Sequence, residues 1–322
     1  STGPSNVYVT EWRAAVETAP VESMAALIIG TPSAPPAASL HWTAESSAQP
    51  LALVFAAANS RTDALSVVHA GLSLAQAMRE GSTVWFLTTS EHAGLCGLAR
   101  SARAELPALA SSLGCIHLAS SGGNALPALA QWDCLRALHT SGEWDVTQTV
   151  GALQVPRLVA SKATSSDSDP PIEVQSTHLL TGGTGGLGLL TARWLAQEGV
   201  STLVLASRTG RFPANASKEV ELIRAAGARK IIERCDAAER ADIARLVSAA
   251  KRHAGGARSL SGAWHVAGVL SDSLLMRQSA ASLCHVYGSK VHGAWMLHSS
   301  TCDVALRTCV MFSSIVALLG GS

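Results

Sequence analysis

The stretch His178-Leu-Leu-Thr-Gly-Gly-Thr-Gly-Gly-Leu-Gly188 decides how this chain is read. Its first four residues form a short apolar, strand-like run. Leu189-Leu-Thr-Ala-Arg-Trp-Leu-Ala-Gln-Glu198, directly after it, has the spacing of a helix. A glycine-rich turn between a strand and a helix lets backbone N–H groups approach a pyrophosphate, and the helix N-terminus adds a partial positive charge. Such turns also occur as plain structural loops, but here the context required on both sides is present. A dinucleotide site is expected, and an oxidoreductase is the first function to consider.

Outward from the turn, strands and helices alternate. Strands are expected at Gln175–Thr181, Ser201–Ser207, Lys230–Arg234, Leu260–His265 and Cys309–Phe312, with helices at Gly186–Glu198, Ser217–Ala226, Ala237–His253 and Ala281–His298. Short apolar strands separated by helices imply a parallel sheet covered on both faces and joined by right-handed crossovers. The first half repeats the rhythm more faintly. Leu51–Ala57, Thr83–Thr88 and Cys115–Leu118 read as strands, and Ala64–Arg79, Cys96–Glu105 and Leu126–His139 as helices. Its strand–helix turns lack the glycine fingerprint; Ala57-Ala-Asn-Ser-Arg61 is one example. That half is expected to be an α/β fold without a cofactor site. The polar, Pro-ended stretch Ala163-Thr-Ser-Ser-Asp-Ser-Asp-Pro-Pro171 marks a linker. The expected organisation is a structural subdomain at 1–162, a linker at 163–172 and a nucleotide-binding subdomain at 173–322. The fold class is α/β, with two Rossmann-like doubly wound parallel-sheet subdomains, the second cut short at its C-terminal end.

Composition narrows the function classes. Of the 322 residues, 48% are hydrophobic and 15% charged, with a formal charge of +1, so a substantial core is possible and disorder is excluded. No Lys/Arg-rich run points to nucleic acid or an anionic membrane. No apolar stretch is long enough to span a bilayer, and no signal layout opens the chain, so a cytoplasmic location is expected. The seven cysteines form no C-x-x-C pair and read as buried reduced thiols, without a metal site.

After the second strand comes Ala206-Ser-Arg-Thr-Gly-Arg211. An acidic residue at this turn would favour NAD through the ribose 2′-hydroxyl. Ser207 and Arg208 stand there instead and suit a 2′-phosphate, so NADPH is the expected cofactor; a solvated loop arginine is the alternative. Cys235-Asp236 ends the third strand, where the carboxylate of Asp236 is placed to accept from an adenine amino group, to cap the following helix, or both.

These residues carry a family resemblance. Gly182, Gly186 and Gly188 fit T-G-x-x-x-G-x-G, the pattern of short-chain dehydrogenases/reductases. Together with Ala206-Ser-Arg-Thr-Gly210, Cys235-Asp236, His265-Val-Ala-Gly-Val-Leu270, Gly288-Ser-Lys-Val-His-Gly-Ala-Trp295 and Met311-Phe-Ser-Ser314, the second half resembles the catalytic subdomain of a modular polyketide synthase ketoreductase. The fatty acid synthase ketoreductase is closely related. The first half resembles that family's non-catalytic subdomain through Val7-Tyr-Val-Thr-Glu-Trp12, Gly97-Leu-Ala-Arg-Ser-Ala-Arg-Ala-Glu105 and Val155-Pro-Arg-Leu158.

The resemblance implies that Ser314 hydrogen-bonds a substrate carbonyl and that Lys290 is the active-site lysine, whose ammonium lowers a tyrosine pKa in a proton relay. It implies cofactor contacts at Gly182, Thr184, Gly185, Gly186, Leu187, Gly188, Ser207, Arg208, Cys235, Asp236, Ala267 and Gly268. It also implies an acyl carrier protein and neighbouring synthase domains as partners. His265 is expected to be a packed strand-end residue. The family's catalytic tyrosine would follow Ser314 at a spacing that passes Ser322, where the chain stops. Tyr8 and Tyr287 stand outside the required arrangement. Leu270-Ser-Asp272 resembles the L-D-D motif of reductases giving the D-configured alcohol, with its middle residue changed; Asp272 is otherwise a helix cap. The expected activity is NADPH-dependent reduction of a β-ketoacyl thioester. A non-catalytic synthase module and a free-standing short-chain reductase are the alternatives.

Overall fold

Two separate sheets arise from the alternation of short apolar strands with helices. The structure, a computed structural model, describes residues 6–14, 26–30, 52–56, 63–78, 83–118, 138, 141–149, 152–162, 172–254 and 260–319. Two compact units divide the chain. One comprises Ser1–Ser165, Ser273–Ser279 and Ser314–Ser322, the other Ser166–Asp272 and Ala280–Ser313.

In the first unit the strands are β1 (Asn6–Ala14), β2 (Ala26–Gly30), β3 (Ala52–Ala56), β4 (Val84–Thr88), β5 (Leu113–Leu118), β6 (Asp145–Thr149) and β7 (Ala152–Lys162), ordered β1-β7-β6-β5-β4-β3-β2. The run from β2 to β6 is parallel, whereas β7 lies antiparallel to both β6 and β1. The parallel α/β sheet expected for the first half is present, with β7 and β1 added to it antiparallel. Only two residues separate β6 from β7, and a parallel crossover needs a dozen or more.

Helix α1 (Ala64–Ala77) starts where Asp63 Oδ1 accepts from the N–H groups of Leu65 and Ser66, both at 3.1 Å. Helix α2 (Gly94–Glu105) buries Leu95, Cys96, Ala99 and Ala102. Asp145 accepts from Arg100 Nε at 3.1 Å and from Arg103 Nη2, tying α2 to β6. Trp85 of β4 stacks on Trp144 with ring centroids 5.3 Å apart, and a Cβ at Gly114 would meet the Trp85 ring at 2.3 Å. Segment Ser273–Ser279 is held by Gln76, whose Nε2 donates to the carbonyls of Leu275 (2.8 Å) and Gln278 (3.0 Å), and by Glu105, which accepts from Leu275 N–H at 2.6 Å.

The second unit runs β8 (Thr177–Thr181), α3 (Gly186–Gln197), β9 (Thr202–Ser207), α4 (Ser217–Ala225), β10 (Arg229–Arg234), α5 (Arg240–Ala254), β11 (Leu260–His265), α6 (Ala280–Tyr287), a π-helical turn Gly288–His292, α7 (Gly293–Thr301) and β12 (Thr308–Met311). All five strands are parallel, in the order β10-β9-β8-β11-β12. Alternate side chains of the central strands feed two cores. Leu179, Val204 and Ala263 pack with Ile243, Leu246 and Leu297 on one face. Leu180, Leu203, Leu205 and Trp264 pack with Leu189, Leu195 and Ile223 on the other. Each fully buried leucine contributes about 2 kcal/mol by leaving water. β8, β9 and β11 are buried almost throughout, which is why they do not alternate apolar with exposed polar residues.

Several boundaries differ from the sequence expectation. The helix after β10 begins at Arg240 rather than Ala237, because Asp236, Ala237 and Ala238 form a tight turn first. The helix expected over Ala281–His298 is interrupted by the π turn. Asp272 does not cap a helix; Leu275–Arg277 is a single 3-10 turn with Leu274 before it. Cys96, Cys115 and Cys235 are buried free thiols, but Cys284, Cys302 and Cys309 are exposed, against the expectation of buried cysteines. The linker 163–171, the turn at 57–61, Cys134 and all of the Leu126–His139 stretch except Leu138 lie outside the described residues. Among the described residues, no helix is long and apolar enough to cross a membrane.

Candidate active site: a cleft at the switch point of the second sheet

Strand order reverses between β8 and β11, and in open parallel sheets ligands bind beyond the carboxyl ends of the strands at such a switch point. A cleft of about 450 Å³ lies there. It is lined by Thr181, Gly182, Thr184, Gly185, Gly186, Leu187 and Gly188 from β8, its turn and the start of α3, and by Ala206, Ser207, Arg208 and Thr209 at the end of β9. Cys235, Asp236 and Ala237 follow β10, Val266, Ala267, Gly268 and Val269 follow β11, and Ser289 comes from the π turn. Every expected cofactor residue lines this one cleft.

Three glycines serve three needs. Gly182 has φ +67°, and a Cβ there would lie 2.7 Å from Ala267 N. A Cβ on Gly188 would lie 2.2 Å from the Gly182 carbonyl oxygen, so α3 can press onto the turn only without one. At Gly186 a Cβ would meet nothing within 4 Å, so that face of the turn is open. Helix α3 has no side-chain cap at Gly185 and no acidic residue in its first turn. Its first N–H groups have no partner within the helix, and they stand at the positive end of its dipole.

Ser207 Oγ accepts from Gly210 N–H at 3.2 Å, which folds the turn after β9. Arg208 makes no hydrogen bond or ion pair among the described residues. Asp236 Oδ1 accepts from Ala238 N–H at 3.0 Å, and its own N–H donates to Asp242 at 2.8 Å, so the structural turn role is present. Burial pushes the Cys235 thiol up to about 12, which keeps it neutral in the cleft wall.

Lys290 is exposed and rides on the π turn; its Cε lies 3.1 Å from where a Cβ would stand on Gly268. Ser314 belongs to the segment Ser314–Ser322 of the first unit. There its hydroxyl accepts from Val316 N–H at 3.2 Å, at the start of the short helix α8 (Val316–Leu319). The Tyr287 ring packs edge-on against His292, with centroids 5.2 Å apart. The sequence reading did not assign Ser289 or Thr181 to the site, whereas His265 is the packed strand-end residue it expected. Thr181 stands in a quoted motif and could have been found there, but nothing in the sequence announces the π turn that presents Ser289.

The open face at Gly186, the uncapped α3 N-terminus and the uncommitted Arg208 guanidinium fit a dinucleotide. With the strand order of the second sheet, they define the class: a Rossmann-type dinucleotide-binding fold carrying the glycine turn of short-chain dehydrogenases/reductases. Residues 176–322 match the family model described as KR domain. The chain is 40% identical over 147 residues to the mycoketide-CoA synthase of Mycobacterium tuberculosis, a match covering 45% of this chain and 3% of that protein. It is 33% identical over 233 residues to chalcone synthase cfoA of Aspergillus candidus, covering 71% of this chain and 8% of that one. A solved structure described as PlmKR1, the ketoreductase from the first module of phoslactomycin biosynthesis in Streptomyces sp. HK803, has a TM-score of 0.73 at 28% identity and covers 98% of this chain and 74% of its own. Residues 176–322 belong to the KR-domain family, and the chain as a whole is similar to ketoreductases of modular polyketide synthases. It spans less than a tenth of either curated relative.

Proposed function

We propose that this chain is the part of a synthase that reduces a β-ketoacyl thioester, carried on an acyl carrier protein, to the β-hydroxyacyl thioester with NADPH. The observation that carries this reading is the cleft itself: it gathers the glycine turn, the uncommitted Arg208 and, through Gly268, the side chain of Lys290. NADPH, when bound, supplies a hydride to the β-carbon.

The chain's own groups do the rest. The N–H groups at the start of α3 hold the pyrophosphate, and Ser207 and Arg208 hold the 2′-phosphate. Cys235 and Asp236 border the adenine, while Ala267 and Gly268 border the nicotinamide ribose. The Lys290 ammonium stabilises a nearby phenolate, and Ser314 donates to the substrate carbonyl. Tyr287 is packed on His292 and Tyr8 lies in β1, so neither is assigned the proton-donor role. Residues 1–162 serve as the non-catalytic subdomain, joined through 163–172 to the catalytic subdomain 173–322, in a cytoplasmic synthase.

The test has two stages. NADPH and NADH are titrated into this chain by fluorescence. NADPH oxidation is then followed with a β-ketoacyl N-acetylcysteamine thioester, for this chain and for the synthase polypeptide extended past Ser322. Turnover in the extended protein is expected. Binding without turnover there would favour a non-catalytic module, and absence of NADPH binding would overturn the cofactor assignment as well.

A further inference from the structure

His265 is almost fully buried at the end of β11, yet both of its ring nitrogens are engaged. Nε2 lies 3.1 Å from the carbonyl oxygen of Ser289, and Nδ1 lies 2.8 Å from Thr181 Oγ1. A carbonyl can only accept, so Nε2 carries the proton and Nδ1 accepts from the threonine hydroxyl. Burial lowers the pKa of this imidazole and keeps it neutral, as this arrangement requires.

The two ends of this bridge are not equivalent pieces of structure. Thr181 is the last residue of β8 and opens the glycine turn. The Ser289 carbonyl belongs to the peptide bond that joins Ser289 to Lys290. That peptide lies in the π turn, where Gly293 N–H reaches back to the Gly288 carbonyl. Such turns are locally weaker than the α-helix around them. Two glycines let this one approach its neighbours. A Cβ on Gly293 would stand 2.8 Å from the Ala237 carbonyl oxygen and 3.0 Å from His265 Cε1, and one on Gly288 would stand 3.3 Å from Ala238 Cβ.

We propose that His265 is a positioning residue: it fixes the peptide plane preceding Lys290 and ties the placement of that lysine to the strand bearing the dinucleotide turn. The proposal rests on the reading of Lys290 as the active-site lysine. His265 itself touches neither cofactor nor substrate. It holds the π turn so that the lysine side chain extends across Gly268.

Two substitutions separate the bonds. His265→Gln keeps an amide donor at the reach of Nε2. His265→Asn keeps an acceptor for Thr181 but is too short for the Ser289 carbonyl. Lys290 is followed by the methyl chemical shift of reductively ¹³C-methylated lysines, and the π turn by hydrogen exchange of peptides covering 286–296. With His265→Asn, exchange in that segment should rise about tenfold, the equivalent of one lost hydrogen bond, and the Lys290 methyl signal should move. His265→Gln should restore both, and NADPH affinity measured by fluorescence should change less than about threefold in either variant. An unchanged Lys290 methyl signal in His265→Asn would overturn the proposal. So would loss of protection spread evenly over β8–β12, which marks plain packing. Neither readout needs turnover, so failure of the reductase reading would show separately, as wild-type protein extended past Ser322 that binds NADPH without turning over.

Discussion

A Cβ on Gly188 would stand 2.2 Å from the carbonyl oxygen of Gly182, closer than any real contact, while the same atom on Gly186 would meet open space. The two positions should therefore fail differently. Gly188→Ala forces the backbone of α3 away from the turn and should lower stability by about 1–3 kcal/mol, with loss of dinucleotide binding. Gly186→Ala should leave the melting temperature essentially unchanged yet weaken the dinucleotide at least about tenfold, because the methyl enters the cleft. Thermal melts combined with fluorescence titration distinguish the two. Equal melting losses would show that the open face does not receive the ligand.

Arg208 stands at the carboxyl end of β9, in the cleft wall, with no hydrogen-bond or ion-pair partner among the described residues. If it holds a 2′-phosphate, Arg208→Ala removes a charge-assisted contact of about 1.5–3 kcal/mol, so the dissociation constant for NADPH should rise about 10- to 100-fold. NADH affinity should scarcely move. Equal weakening of both cofactors would remove the 2′-phosphate role.

Trp264 Nε1–H donates to His178 Nδ1 at 3.0 Å inside the second sheet, and a Cβ at Gly262 would fall 2.4 Å from that same nitrogen. Burial pushes the His178 pKa down to about 4 from an ordinary 6.5. Between these values the unfolded chain binds a proton that the folded chain does not. Stability is therefore complete above about pH 6.5 and declines as the pH falls towards about 4, by on the order of 3 kcal/mol. His265, shifted in the same direction by burial, adds to the decline. Urea unfolding at about pH 7 and about pH 5 should show a steeper acid loss for wild type than for His178→Gln, whose side chain does not titrate. Parallel losses would exclude His178 as a source of the slope.

Asp145 receives two guanidinium groups, Arg100 and Arg103, and Arg100 also donates to the Ala317 carbonyl at 2.9 Å. Asp145→Ala leaves both arginines partly buried without their carboxylate and should destabilise the first unit by about 1.5–3 kcal/mol. Asp145→Asn should recover part of that through its remaining acceptor. Differential scanning calorimetry reads the difference, and a wild-type melt for Asp145→Ala would reduce the pair to a surface contact.

The glycine turn, the flanking β8 and α3 and the strand–helix rhythm of the second half were legible because each is a local pattern. Apolar runs bounded by turns show where β8, β9 and β11 lie, and the spacing of Gly182, Gly186 and Gly188 shows where a backbone must come close. Strands β2, β6 and β7 were not recognised. The antiparallel pairing of β6 with β7 was missed because Asp145-Val-Thr-Gln-Thr149 carries few apolar residues and so gives no strand signal for the adjoining β7 to pair with.

The sequence by itself determined the class: Thr181–Gly188, Ser207-Arg208, Lys290 and Ser314 stand in the order of a ketoreductase, and the family match over residues 176–322 agrees. Only the tertiary structure decided that residues from β8, β9, β10 and β11 wall one cleft, and that His265 joins Thr181 to the peptide before Lys290. It also decided that Ser273–Ser279 and Ser314–Ser322 group with the first unit rather than with the half that contains them. Spacing records what one stretch of chain can do alone. Burial of a neutral imidazole between two elements, or a carbonyl shared across a π turn, depends on segments brought together by packing, and their separation along the chain carries no trace of it.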